Sequence, residues 1–92
     1  MPNDVVNNEA EQRYELVTED GTAIAAYQRD GDVVAFTHTE VPEALEGRGV
    51  GSRLVAGALA DVRSQGLKAL PLCSFVRTYF ERHPEERDLL AT

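Results

Sequence analysis

The chain is poor in the residues that would commit it to several large classes of protein. Its only cysteine is Cys73, so no intrachain disulfide is available and the fold does not depend on oxidation. Nine lysines and arginines face sixteen aspartates and glutamates, a net charge of −7. The clustered positive charge on which general nucleic-acid binding rests is missing. The balance suits a cationic acceptor such as an amine, and it serves solubility equally well. No stretch approaches the ~20 apolar residues of a membrane-spanning helix. Residues 1–10 are polar and acidic and hold no signal-peptide core. A cytoplasmic protein is the resulting expectation. His38, Cys73 and His83 lack metal-ligand spacing, and a structural zinc would want four ligands, so no metal is expected.

What is present is ordinary for a globular chain: 92 residues, 42% hydrophobic and 27% charged. That length makes one domain, burying ~60–65% of its unfolded surface around a single modest core. Residues 1–10 read as a flexible tail, leaving 11–92 as the domain. Residues 13–18 alternate imperfectly, with Tyr14 and Leu16 inward and Val17 a further inward candidate. Glu19-Asp20-Gly21 marks a turn, and a second strand follows over 22–29. Asp30-Gly31 is the strongest hairpin signal, because both central residues of a type I′ turn need positive φ. A third strand over 33–41 completes an antiparallel meander, and Pro42 closes it because it cannot donate to a ladder.

The chain then reaches its most distinctive stretch, Glu46-Gly47-Arg48-Gly49-Val50-Gly51-Ser52. Three glycines at alternate positions run from a strand into a helix. Val50, Leu54, Val55, Ala58, Leu59 and Val62 form one apolar stripe at spacings of three and four, predicting a helix over 50–65 that Gly66 ends. Strand, glycine loop and helix together suit an anion. Backbone N–H groups approach it, and the helix N-terminus adds partial positive charge. A short strand over 68–74 follows, then a helix over 75–82 with Phe75, Val76, Tyr79 and Phe80 inward. His83-Pro84 stops it. Because a helix links the third and fourth strands, they can lie parallel with a right-handed crossover.

The loop has several potential owners. A dinucleotide fold would want an acidic residue ~20 positions further on and a further βαβ unit; Asp61 and Asp88 are badly placed and the chain ends too soon. A nucleotide-hydrolase loop would need Gly-Lys-Ser or Gly-Lys-Thr, and neither occurs. A purely structural turn is the plain alternative.

The span from Val41-Pro42 through Gly51-Ser52-Arg53-Leu54 resembles the coenzyme-A-binding motif of the GNAT superfamily of N-acetyltransferases. The ordered set of His38-Thr39-Glu40-Val41-Pro42, Glu46-Gly47-Arg48-Gly49, Pro71-x-Cys73-x-Phe75-Val76 and Tyr79-x-x-x-His83-Pro84 is similar to the small YjdJ-like, NATD1-type minimal GNAT domains. The likeness covers roughly residues 12–90. It implies an α/β fold: a truncated GNAT domain with a mostly antiparallel sheet of about four strands, one parallel pair and two main helices. It implies acetyl-CoA as the ligand of Val41, Gly47, Arg48, Gly49, Val50, Gly51 and Ser52, with Arg48 or Arg53 adding charge. It implies an acetyltransferase acting on an amine or peptide acceptor, as a monomer or weak dimer, with His38 and Cys73 as the reactive pair. Imidazole serves as base or lowers the thiol pKa. Tyr79 would protonate the departing thiolate.

Each of these residues has a structural alternative. Cys73 can be a small buried hydrophobe, His38 a solvent-facing strand residue, and Tyr79 a core aromatic with a wet hydroxyl. The chief functional alternative is an acyl-CoA-binding module, or one that acetylates itself at Cys73. One departure stands out: Glu46 occupies the motif's first position, where the superfamily prefers Arg or Gln, and is expected to point outward.

Overall fold

The computed structural model describes residues 4–91. Five strands form one sheet in the order β1 (Val6–Asn8), β2 (Arg13–Thr18), β3 (Gly21–Asp30), β4 (Val33–Glu40) and β5 (Lys68–Pro71). All neighbours are antiparallel except β4 and β5, which run parallel. Helix α1 (Val50–Ser64) makes the crossover between them, and α2 (Ser74–Arg82) follows β5. Two 3₁₀ turns, Glu43–Leu45 and Pro84–Leu89, precede α1 and follow α2.

The strand count exceeds the expected four because the stretch read as a tail supplies one. Val6–Asn8 pairs with Arg13, Tyr14 and Glu15, and Asn7 accepts a 2.6 Å hydrogen bond from the Tyr27 hydroxyl. Two asparagines after Val6 hide the strand, since its stability comes from cross-strand partners rather than from its own apolar pattern. The first three tail residues, and Thr92 at the end of the expected domain, lie outside the described residues. Two further expectations are corrected. Val17 is 69% exposed, because strict alternation with buried Leu16 turns it outward. The β3–β4 turn has Gly31 and Asp32 at its centre, flanked by the pair Asp30 and Val33, and only Gly31 has positive φ. That is the pattern of a type II′ turn, with its glycine first, rather than type I′.

One face of the sheet is buried by both helices. Tyr14, Leu16, Ala23, Ala25, Val34 and Phe36 present it, and Leu54, Val55, Ala58, Leu59 and Val62 of α1 meet it, all 2% exposed or less. Tyr14 sits among Tyr27 and Phe36 at ring separations of 5.3 and 6.0 Å, aromatic pairs worth about 0.5–1.5 kcal/mol each beyond their buried area. Its hydroxyl donates a 2.7 Å bond to Asp61 of α1. Burial, reinforced by that carboxylate, pushes the Tyr14 pKa well up.

Two irregularities in β4 prepare the site. Parallel pairing with β5 stops at Phe36 and Pro71. The Phe36 carbonyl then accepts from both Leu72 and Cys73 at 3.0 Å, and the two strands part beyond it. On its other side β4 carries a bulge. Tyr27 pairs with Phe36 and Ala26 with His38, leaving Thr37 as the extra residue. A bulge reverses the inward and outward alternation.

Candidate functional site

The glycine loop and the first turn of α1 line a cavity of about 170 Å³ with Val41, Leu45 and Glu46 on its other walls. Gly47 and Gly49 have φ of 80° and 75°, a left-handed conformation open to glycine at little cost. The Arg48 N–H is spent on the Leu45 carbonyl at 3.3 Å. The N–H groups of Gly47, Gly49, Val50, Gly51 and Ser52 have no acceptor among the described residues. Five open amides at the positive end of a 15-residue helix form an anion cradle.

The side-chain charges expected to help do not face this cradle. Arg48 pairs with Asp20 at 2.8 Å, and Arg53 with Asp4 at 3.3 Å. Glu46 is exposed as expected, yet it also contributes to the cavity wall. Backbone amides are therefore the cradle's main source of positive potential.

A larger cavity, about 340 Å³, adjoins the cradle and shares Ser52 and Phe75 with it. Phe75 is not inward as expected. It is 40% exposed, and its ring lies across Gly51 between the two cavities. Tyr79 lines the larger cavity. Its hydroxyl has no hydrogen-bond partner among the described residues and is not buried, so it is free to meet a ligand or water. Burial raises the Tyr79 pKa, with Glu86 and Glu85 adding to the rise, so the phenol keeps its proton at neutral pH. His83 stacks on Tyr79 at 4.1 Å and 21° while its Nδ1 meets Glu85 at 3.1 Å.

The strand expected over 68–74 ends at Pro71, and Cys73, two residues beyond it, caps α2, its Sγ accepting from the Val76 N–H at 3.5 Å. The side chain that meets it from β4 is Thr39, whose Oγ1 is 3.3 Å from the sulfur. His38 is on the opposite sheet face. It pairs with Ala26, whereas Thr39 pairs with the fully buried Ala25. Its Nε2 lies 3.3 Å from Glu40 Oε2, both side chains being more than 60% exposed. The structure thus brings Thr39, not His38, to Cys73. The bulge at Thr37 is the reason: in an unbroken strand His38 would share the face of Val34 and Phe36.

The cavity-facing side of α2 escaped the sequence reading. Ser74, Thr78 and Arg82 recur at intervals of four beside Phe75, Tyr79 and His83. A polar ridge at that spacing next to an aromatic one is a legible helical face. Among the described residues, no group of three or more His, Cys, Asp or Glu is placed to hold a metal ion.

A meander, a glycine loop opening a crossover helix, and a parallel pair that parts beside a helix N-terminus define one class of protein. A family model described as GCN5-related N-acetyl-transferase matches residues 13–89, and the chain belongs to that family, as a minimal GNAT domain. Among its relatives are Protein NATD1 of Gallus gallus and of Homo sapiens, each 36% identical over 63 residues, or 67% of this chain. The chain spans 57% and 56% of the length of those two curated relatives. The solution structure of a GCN5-like N-acetyltransferase candidate from Staphylococcus aureus matches with a TM-score of 0.73 at 25% identity, covering 99% of this chain and 91% of that one.

Proposed function

We propose that the chain is an acetyl-CoA-dependent N-acetyltransferase acting on an amine. The observation that carries this reading is the five-amide cradle lying beside a second cavity, with Ser52 and Phe75 on both walls, that an unpartnered tyrosine lines. Neutral amides at a helix N-terminus fit a pyrophosphate, and the two adjoining cavities suit an extended ligand. Acetyl-CoA supplies the acetyl group as a thioester.

The chain's own residues then have three tasks. The amides of Gly47, Gly49, Val50, Gly51 and Ser52 hold the diphosphate, with Val41 closing the cradle from β4. The gap beyond Phe36 and Pro71 receives the acyl arm, flanked by Thr39 and Cys73. His38, with Glu40 beside it, takes the proton lost by the attacking amine from the outer sheet face, and Tyr79 returns one to the thiolate that leaves. Positioning plus a base is sufficient for aminolysis of a thioester. The net charge of −7 favours a cationic acceptor.

Calorimetry with acetyl-CoA, followed by thiol release against a panel of amines and peptides, tests the proposal. Saturable binding and turnover on an amine are expected. Absence of binding at millimolar acetyl-CoA overturns it. Binding without turnover, with acetyl found on Cys73 by intact mass and lost in Cys73→Ala, replaces it with self-acetylation.

A further inference from the structure

The outer face of the sheet, away from both helices, carries a cavity of its own. Ala23 and Ala25 of β3 are fully buried on the inner face, so alternation turns Thr22 and Ile24 outward. Glu40 stands opposite Ile24, and His38 opposite Ala26, on that same face. Past β4 the chain runs through Val41 and Pro42, and the Pro42 ring packs against Gly21, where an added Cβ would lie 3.1 Å from its Cγ. Thr22, Ile24, Glu40, Val41 and Pro42 line a cavity of about 230 Å³. Val41 also lines the anion cradle, so one residue stands on the walls of both. The chemistry of this outer cavity is a single carboxylate among aliphatic walls. Glu40 Oε2 lies 3.3 Å from His38 Nε2, and the carboxylate has no other partner among the described residues. Arg13, on the same face, is spent on Glu15 at 2.7 Å. A carboxylate with apolar flanks and a neighbouring hydroxyl suits an ammonium group on a short aliphatic stem.

We infer that this cavity holds a second, cationic nitrogen of the acceptor, and that the acceptor class is a short aliphatic diamine. The inference rests on the acetyltransferase reading above and names the kind of amine that reading leaves open. An attacking nitrogen must be neutral, so it cannot be the nitrogen that Glu40 holds as an ammonium. A monoamine engages His38 and leaves the Glu40 cavity unused. A diamine engages both: one nitrogen stays protonated against Glu40, and the other meets His38, two residues away on the same face of β4. With its Nε2–H donated to Glu40, His38 keeps the Nδ1 lone pair to accept a proton. The neutral nitrogen forms the bond to the acetyl carbon as the carbon–sulfur bond breaks. Its surplus proton passes to His38, and Tyr79 protonates the departing thiolate. The nitrogen on Glu40 keeps its charge throughout. Glu40 is thereby the residue that sets acceptor specificity, and the net charge of −7 draws a dication more strongly than a monocation.

Two measurements test this. Thiol release from saturating acetyl-CoA compares diaminobutane with butylamine, at matched concentrations of neutral nitrogen, in the wild type, Glu40→Gln and Thr22→Lys. Glu40 and Thr22 are both exposed, so the variants should fold, and circular dichroism checks this. The wild type is expected to favour the diamine in kcat/KM by about fivefold, the effect of one partly exposed charge-assisted contact. Glu40→Gln should bring the ratio of diamine to monoamine close to one by removing the charge, and Thr22→Lys by filling the cavity with a cation. A Glu40 that only orients His38 would slow both amines alike and leave the ratio intact, which would overturn the inference. The second measurement needs no coenzyme: diaminobutane is titrated into the chain and the Ile24 methyl resonances are followed. Saturable shifts in the wild type that disappear in Glu40→Gln are expected, and their absence in the wild type overturns the inference. Thiol release with peptides but with neither small amine overturns the inference alone. No release with any acceptor overturns the acetyltransferase reading together with it.

Discussion

Replacing Gly51 by alanine sets two effects of opposite sign against each other at the site. Gly51 is the second residue of α1, and alanine in a helix is favoured over glycine by at most about 0.5–1 kcal/mol. A Cβ built at this position, however, would lie 2.4 Å from Cζ of Phe75 and 3.2 Å from both Cε atoms. The ring must move. Phe75 is 40% exposed, so of the roughly 200 Å² of a phenylalanine side chain about 120 Å² is buried, worth about 3 kcal/mol at 25 cal/mol per Å². A ring that swings aside and keeps half that contact loses about 1.5 kcal/mol. Net destabilisation of about 0.5–1 kcal/mol should follow, since the loss exceeds the helical gain. Urea unfolding of the wild type, Gly51→Ala, Phe75→Ala and the double variant measures it. In the double variant the clash is absent, so alanine at 51 should there be neutral or stabilising, with a coupling of about 1–2 kcal/mol between the positions. A Gly51→Ala chain that is more stable than wild type while Phe75 is intact would refute the packing argument.

Three other outcomes are expected. Tyr14→Phe removes the 2.7 Å bond to Asp61 and should cost about 1–2 kcal/mol, moderated because Gln65 still donates to the same carboxylate. In the wild type the raised Tyr14 pKa means that its contribution is full below its ordinary value of 10.0 and is lost as pH rises beyond it. Alkaline melts of Tyr14→Phe should therefore lack that residue's share of the decline, and an identical alkaline limb would sink the assignment. Glu46→Ala should leave coenzyme A affinity unchanged or raise it by up to about threefold, because an exposed carboxylate near a phosphate is weakly repulsive through water; a tenfold loss in titration would show Glu46 to be a ligand. Hydrogen bonds from Arg13 to Glu15 and from Arg63 to Asp88 hold both carboxylates below their ordinary values of 4.5 and 3.8. Their contribution is present above those values and lost as pH falls through the lowered ones. Arg63→Gln should flatten the Asp88 part of the acid limb in a Tm titration, and no change there would refute that pairing.

The loop, its helix and the parallel crossover were legible because each is local. Alternate glycines before a 3.6-residue apolar stripe describe a turn and a helix whatever surrounds them, and a helix between two strands that pair directly makes them parallel. Tyr14 and Leu16 were readable as core for the same reason, being one strand apart in period two. Elements whose stability is borrowed from elsewhere were not. Val6–Asn8 is a strand because β2 and Tyr27 hold it, and nothing within those three residues says so. The committed state of Arg48 and Arg53 depends on aspartates 28 and 49 positions away from their partners. The bulge at Thr37 mattered most. The family resemblance implied that His38 and Cys73 are a pair near a parting of parallel strands, and did not single out Thr39. Which of the two β4 residues faces the sulfur follows from a single extra residue in a ladder, because a one-residue shift exchanges the two faces of a strand. Tertiary pairing put Thr39 against Cys73 and His38 beside Glu40 on the other side, a choice that side-chain identity at those positions does not encode.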